Sequence, residues 1–193
     1  MSIENTDTEL VGDEVVSNLA RAALFAALTG AFAYVSFPNP VSPAPVTLQV
    51  LGVFLSGIFL GSLWGGVACG LYLLAGALGA PIFAGGTAGI GVLVGPTAGY
   101  LLSYPLAAAV IGGVVHGGRA PVDIGNVGLG RLVGGLALGT GVIYAIGVAG
   151  MMIVQSLGPV EAFLVGAAVF VPAELLKIAA AVGIVRSDVM TAA

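Results

Sequence analysis

The sequence predicts an all-α integral membrane protein with six transmembrane helices. Hydrophobic residues make up 59% of its 193 residues and charged residues only 7%, and the mean hydropathy is +1.14. Residues 22–118 contain no Asp, Glu, Lys or Arg, and a soluble domain of this size needs more charge than that on its surface. Since a membrane-spanning helix needs about 20 mainly apolar residues, this uncharged block has room for several.

Prolines and glycines divide the apolar sequence into helices and connections. Pro96 and Pro172 suit the first turn of a helix, whereas "IFAGGTAGIGVLVG" is too rich in glycine for a stable helix and predicts an outer loop between helices 3 and 4. "LGPVEAFLVGAAVF" predicts a short amphipathic or re-entrant segment. The six helices are predicted at residues 19–37, 47–63, 65–80, 96–116, 127–156 and 172–186.

The first residues differ from the rest of the chain because they are acidic. Residues 1–14 contain Glu4, Asp7, Glu9, Asp13 and Glu14 and no base, whereas a secretory signal begins with basic residues. We therefore expect residues 1–18 to form a disordered acidic cytoplasmic tail. Residues 19–193 are expected to form a single six-helix transmembrane domain, and nothing in the chain predicts binding of nucleic acid.

The basic residues predict the orientation in the membrane. Arg21 precedes helix 1, His116, Arg119 and Arg131 flank the connection between helices 4 and 5, and Arg186 follows helix 6. With six crossings all of these positions lie on one side, which should be the cytoplasm. We therefore expect a multi-pass cell-membrane protein with both termini in the cytoplasm and with the glycine-rich loop outside.

The sequence lacks the usual signatures of an enzyme. The single lysine, Lys177, is not part of a phosphate-binding P-loop, and "GIGVLVG" and "GLGRLVG" have the wrong spacing for a dinucleotide fingerprint. His116 lies at a predicted helix end near Arg119, where a solvated role in orientation is expected rather than a metal site. No catalytic residues, metal or cofactor are therefore predicted, and the energy for any transport must come from a source outside this chain.

A small group of polar residues is predicted at the outer end of the helices. Glu174 and Lys177 share one face of helix 6, Gln49 lies near the outer end of helix 2, and Phe83 and Tyr100 could form apolar walls. Such a pocket would suit a small, partly apolar, anionic solute, although the two charges could also merely neutralise each other. Polar backbone groups of the glycine-rich loop could complete the pocket, at Gly85, Gly86, Thr87 and Gly89.

Helix 1 carries a face of small residues. Alanines recur at four-residue spacing, which lets helices approach closely in lipid. The face could pack inside the bundle or dock a second protein, and the spacing alone does not decide between them. The alanines of this face are Ala22, Ala23, Ala26, Ala27 and Ala31.

Three segments, "PVTLQVLGVFLSGIFLG", "GAPIFAGGTAGIGVLVGPTAGYLL" and "PAELLKIAAA", together resemble the BioY family. These proteins are the biotin-specific substrate-binding subunits, or S components, of energy-coupling factor (ECF) transporters. The resemblance covers residues 22–186. It implies a six-helix S-component fold that captures biotin from outside and works with a transmembrane coupling subunit and two ABC-type ATPases. It also implies that the alanine face of helix 1 docks the coupling subunit.

The resemblance assigns roles to the polar residues and shows where this chain departs from the family. The family pattern P-G-D-x-x-K is here Pro172, Ala173, Glu174 and Lys177, so the acid is one methylene longer. It implies that Glu174 accepts from a ureido N–H of biotin and that Lys177 pairs with the ureido carbonyl or the tail carboxylate. Gln49, the loop amides and the two aromatic walls would complete the contacts.

Other functions stay open at the level of sequence. The chain could be an S component or a solitary carrier for another small anionic vitamin. It could also be an intramembrane enzyme or an assembly scaffold, although the missing catalytic groups argue against an enzyme.

Overall fold

The computed structural model describes residues 12–118 and 122–187, so Arg119 and most of the predicted tail lie outside the described residues. The regular secondary structure of the described chain is helical apart from one short pair of strands. Strands β1 (Ser36–Phe37) and β2 (Val46–Thr47) pair antiparallel. The helices are α1 (Asp13–Ala33), α2 (Gln49–Ala77), α3 (Ala98–His116), α4 (Leu129–Gln155), α5 (Pro159–Gly166) and α6 (Val171–Arg186).

Five segments of the described chain are long and apolar enough to cross a membrane. They are Asp13–Ala33, Gln49–Ala77, Ala98–His116, Leu129–Gln155 and Pro159–Arg186, and the last one joins α5, a 3₁₀ turn and α6. The all-α membrane class predicted from composition is therefore confirmed.

Helix α2 folds back on itself at Gly61. The backbone of Gly61 has φ of 76° and ψ of −171°, values that glycine adopts readily because it lacks a Cβ. A Cβ placed on Gly65 would lie 3.0 Å from the Cα of Gly57, and the side chains of Gln49 and Tyr72 form a hydrogen bond. These residues would be far apart in a straight helix, so residues 49–60 and 62–77 are two arms that run side by side.

Helix α3 packs against this hairpin at very close range. A Cβ on Gly112 would lie 2.3 Å from the carbonyl carbon of Gly61, and one on Gly57 would lie 2.6 Å from the backbone oxygen of Ala108. Such approaches need glycine because any side chain would collide with backbone. The hairpin and α3 form the centre of the molecule, with α1 against α2 and α4 against α3.

The boundaries of α1 differ from the prediction. The helix begins at Asp13 rather than at residue 19 and ends at Ala33, so residues 13–18 of the predicted tail are helical. Asp13 and Glu14 lie in its first turn, where carboxylates are favoured by the partial positive charge of a helix N-terminus. The predicted last residues of helix 1 instead include strand β1, because β1 pairs with β2 across the proline-rich connection.

The bundle has two distinct ends, which we call the Gln49 end and the His116 end after the helix termini found there. At the His116 end, Nη2 of Arg186 donates to the Val127 backbone oxygen at 2.5 Å. Nε and Nη2 of Arg131 each lie 3.3 Å from the Val114 backbone oxygen. These arginines therefore lie at the same end of the bundle as His116.

His116 itself is buried, contrary to the solvated position expected from the sequence. Its Nδ1 accepts a hydrogen bond from the Val122 backbone N–H at 3.0 Å, so this nitrogen carries no proton. Its Nε2 lies 2.8 Å from the Ile58 backbone oxygen and therefore donates to it. The neutral ring thus ties the connection between α3 and α4 to the first arm of α2.

Candidate binding site

A cavity of about 280 Å³ opens at the Gln49 end of the bundle. It lies between the β1–β2 connection, the start of α2, the glycine-rich segment and helices α3, α4 and α6. Its size is close to the lower limit for small-molecule sites, roughly 300 Å³. The polar side chains that line it are those of Thr47, Gln49, Thr87, Thr97, Tyr100, Tyr104, Tyr144, Glu174 and Lys177.

The two charges of α6 form a buried ion pair in the wall of this cavity. Nζ of Lys177 lies 2.6 Å from Oε1 of Glu174, and the two residues are only 5% and 4% exposed. Glu174 lies in the first turn of α6, where Pro172 is one of the first residues. A carboxylate is favoured there by the partial positive charge of the helix N-terminus.

The carboxylate of Glu174 is bonded through one oxygen only. The Tyr144 hydroxyl, from α4, donates to Oε1 at 3.0 Å, and Lys177 donates to the same oxygen. Oε2 is buried and has no hydrogen-bond partner among the described residues. Buried polar atoms are normally paired and an unpaired acceptor is costly, so Oε2 stands out as a buried acceptor without a donor among the described residues.

Gln49 presents a second polar group at the cavity. It is 2% exposed, and its Oε1 accepts from the Thr47 hydroxyl at 2.9 Å. Its Nε2 donates to the Tyr72 hydroxyl on the second arm of α2. An amide has more donor and acceptor positions than these two bonds use, so Gln49 is held in place and keeps unused donor and acceptor positions.

Aromatic rings form the wall between α3, α4 and the segment before α6. The Tyr100 ring packs edge to face on Tyr144 at 6.1 Å between centroids, and Tyr144 contacts Phe170 at 6.3 Å. The Tyr100 hydroxyl donates to the Gly166 backbone oxygen at 2.7 Å. A Cβ on Gly147 would lie 2.3 Å from the Tyr100 ring, so glycine there makes room for the ring.

The structure brings five of the predicted site residues together and leaves four outside the cavity wall. Phe83 is fully buried and lies edge to face on Tyr72, with centroids 5.5 Å apart. It fills the space that the absent side chain of Gly76 leaves. The residues at the cavity are Gln49, Thr87, Tyr100, Glu174 and Lys177, whereas Phe83, Gly85, Gly86 and Gly89 do not line it.

Several residues that line the cavity were not predicted from the sequence. Three of them lie inside or next to predicted apolar helices, namely Tyr104, Tyr144 and Phe170. Others belong to the "VSPAPV" connection, which was predicted only to separate two helices. The tyrosines could have been recognised as candidate site residues, because a hydroxyl inside a membrane-spanning segment needs a polar partner. Which partner each tyrosine finds depends on how the helices pack.

The alanine face of α1 is divided between two environments. Ala22 and Ala26 are buried, and Ala22 packs with Leu60 and Ala68 of the α2 hairpin. The remaining alanines of the face are exposed among the described residues, namely Ala23, Ala27 and Ala31. Internal packing therefore explains part of the pattern and leaves a separate exposed stripe.

Comparison with known proteins identifies the family. The model of the BioY family matches residues 4–192. The chain belongs to the BioY family. It is 37% identical over 170 residues to "Biotin transporter BioY" of Rhodobacter capsulatus, which covers 83% of this chain and 87% of that protein. It is 38% identical over 164 residues to "Probable biotin transporter BioY" of Pyrococcus horikoshii, which covers 85% of this chain and 91% of the relative.

A solved structure shows the same fold. The crystal structure described as the S-component for biotin from an ECF-type ABC transporter aligns with a TM-score of 0.80. The alignment covers 92% of this chain and 93% of that chain, at 23% sequence identity. This chain therefore has the S-component fold.

Proposed function

We propose that this chain is the biotin-binding S component of an ECF transporter, capturing biotin outside the cell for ATP-driven uptake. Its relatives are named biotin transporters, and its family is one of transporter subunits rather than enzymes. The observation that carries the proposal is the buried ion pair of Glu174 and Lys177 in the wall of the 280 Å³ cavity, with Oε2 of Glu174 unpaired among the described residues. No observation favours another vitamin.

The chemistry of biotin suits this cavity. Its ureido ring carries N–H donors, and Oε2 of Glu174 can accept one of them. Lys177 has donors beyond the one directed at Glu174 and can bind the ureido carbonyl or the tail carboxylate. Gln49 can bind a further polar group, while the ring of Tyr100 packs on the apolar part of the molecule.

The proposed topology has six crossings with both termini in the cytoplasm. The two arms of α2 count as separate crossings because the chain reverses at Gly61. The Gln49 end then faces outside, together with the glycine-rich segment, and the His116 end faces the cytoplasm with Arg131 and Arg186. This orientation follows the preference of basic residues for the cytoplasmic side.

The proposed partners are a transmembrane coupling subunit and two ABC-type ATPases. The chain has no P-loop of its own, so ATP hydrolysis must take place on other subunits. The exposed alanines Ala23, Ala27 and Ala31 of α1 offer a smooth face for a helix of the coupling subunit.

Titration of the purified chain tests the proposed ligand. Calorimetry in detergent should show saturable binding of biotin and no binding of thiamine, riboflavin or pantothenate under the same conditions. Tighter binding of one of those vitamins than of biotin would overturn the assignment.

A further inference from the structure

The side chain of Glu174 has several rotatable bonds, so the position of its carboxylate oxygens depends on the groups that bind them. A glutamate side chain has one more rotatable bond than aspartate, and freezing such bonds costs entropy. Lys177 is itself a long side chain, three residues further along the same helix. The ion pair on α6 therefore does not by itself fix which oxygen of Glu174 remains free.

The Tyr144 hydroxyl supplies a fixed point from another helix. It donates to Oε1 at 3.0 Å, so both described hydrogen bonds of the carboxylate lie on Oε1 and none lies on Oε2. Hydrogen bonds to an ionised acceptor are about twice as strong as neutral ones. The bond thus fixes the carboxylate as well as stabilising its charge.

The Tyr144 ring is held in turn by its neighbours. Tyr100 packs against it edge to face, and Phe170 contacts it within the segment that leads into α6. Tyr100 is anchored by its own hydroxyl to the Gly166 backbone oxygen at 2.7 Å. A tyrosine side chain has only two principal torsions, so packing on two sides leaves its hydroxyl little freedom.

We infer that Tyr144 is a positioning residue for the ligand site, which holds Oε1 of Glu174 and thereby reserves Oε2 for the ligand. This inference rests on the proposed function and adds a residue to it. Tyr144 acts through Glu174. Removing the Tyr144 hydroxyl should therefore weaken biotin binding only where the carboxylate of residue 174 lies within hydrogen-bond range of that hydroxyl. Aspartate is shorter by one C–C bond of about 1.5 Å, which takes the carboxylate out of hydrogen-bond range of a hydroxyl now 3.0 Å away.

A double-mutant cycle tests this coupling in the purified chain. Biotin affinity is measured for the unchanged protein, Tyr144→Phe, Glu174→Asp and the double variant. Tyr144→Phe should weaken binding by about tenfold or more, the effect expected from losing a hydrogen bond to a charged group. In the Glu174→Asp background the same change should alter affinity by less than about threefold.

A matched control removes a tyrosine hydroxyl elsewhere. Tyr34 donates to the Pro81 backbone oxygen, is 58% exposed and does not line the cavity. Tyr34→Phe should leave biotin affinity unchanged. Equal losses of affinity from Tyr144→Phe in both backgrounds would overturn the inference, as would full affinity in Tyr144→Phe. An unchanged protein that fails to bind biotin would instead contradict the proposed function and the inference together.

Infrared difference spectra decide the case in which Glu174→Asp no longer binds biotin. The carboxylate band of Glu174, assigned by its loss in Glu174→Gln, should shift in Tyr144→Phe because one hydrogen bond to Oε1 is missing. An unchanged band in Tyr144→Phe would overturn the inference independently of any affinity.

Discussion

Glu174 and Lys177 are two buried charges inside a segment that is apolar enough to cross a membrane. A charge at the centre of a bilayer costs about 2.5–3.5 kcal/mol by insertion scales, and a buried ion pair often stabilises a protein less than an apolar pair of the same size. Neutralisation alone is therefore a weak reason to have both residues. Under the proposed function, the unpaired Oε2 and the cavity lined by Glu174 provide a stronger reason, because biotin would bind there.

Substitution of Glu174 and Lys177 distinguishes ligand binding from mutual neutralisation of the two charges. Glu174→Ala and Lys177→Ala should each weaken biotin binding by about 2 kcal/mol or more, because each leaves an uncompensated charge and removes a ligand contact. Isothermal titration of the double variant then decides. It should bind no better than the worse single variant, whereas recovery of near-normal affinity would show that the charges only neutralise each other.

The sequence identified the site residues that stand out by their chemistry, and it did not identify those whose role depends on packing between distant parts of the chain. Glu174 and Lys177 stood out because a charge in an apolar run is rare. Tyr144 did not, because its role depends on α4 packing beside α6, a contact between residues far apart in the chain. Phe83 looked like a cavity wall, yet it packs inward because Gly76 leaves room for its ring.

At the scale of helices, close approach of backbones decides the packing. The apolar runs and prolines predicted the helix positions to within a few residues, apart from the early start of α1. The reversal within α2 was expected near residue 64 and occurs at Gly61. Sequence spacing alone could not show which of the many glycines make close contacts, since that depends on which helix lies opposite.

Two adjacent glycines of α3 provide a matched test of this packing. Gly112→Ala places a Cβ 2.3 Å from the Gly61 carbonyl carbon, whereas the Cβ of Gly113→Ala meets only the Ser62 hydroxyl oxygen at 3.9 Å. Overpacking of this kind costs about 1–3 kcal/mol. Thermal unfolding in detergent should therefore show a lower midpoint for Gly112→Ala and little change for Gly113→Ala. Equal midpoints would contradict the close approach of α3 to the hairpin.

The alanines of α1 can be tested in the same paired way. Ala22→Leu should disturb folding because Ala22 is fully buried. Ala27→Leu lies on the exposed stripe, so it should keep biotin binding and lose co-purification with the coupling subunit. Normal co-purification of Ala27→Leu, or its failure to fold, would argue against a docking role for the stripe.

At the scale of the whole molecule, the two ends of the bundle differ in chemistry. The Gln49 end carries the cavity and its ion pair. The His116 end carries Arg131 and Arg186, bonded to backbone oxygens, and a neutral histidine. The proposed function requires the first of these ends to face the outside.

Cysteine labelling tests that orientation. In a Cys69→Ala background, Ile90→Cys places a thiol at a position that is 72% exposed, in the glycine-rich segment. Gly118→Cys places one at an exposed position of the His116 end. A membrane-impermeant reagent should label position 90 in intact cells and position 118 only after permeabilisation. The reverse pattern would overturn the topology.

The structure of the chain with biotin bound tests the central claim most directly. We predict that biotin occupies the cavity at the Gln49 end, with a ureido N–H within hydrogen-bond distance of Oε2 of Glu174 and with Oε1 still bonded to Tyr144. Biotin bound elsewhere on the molecule, or bound in this cavity with Oε2 still unpaired, would contradict the account.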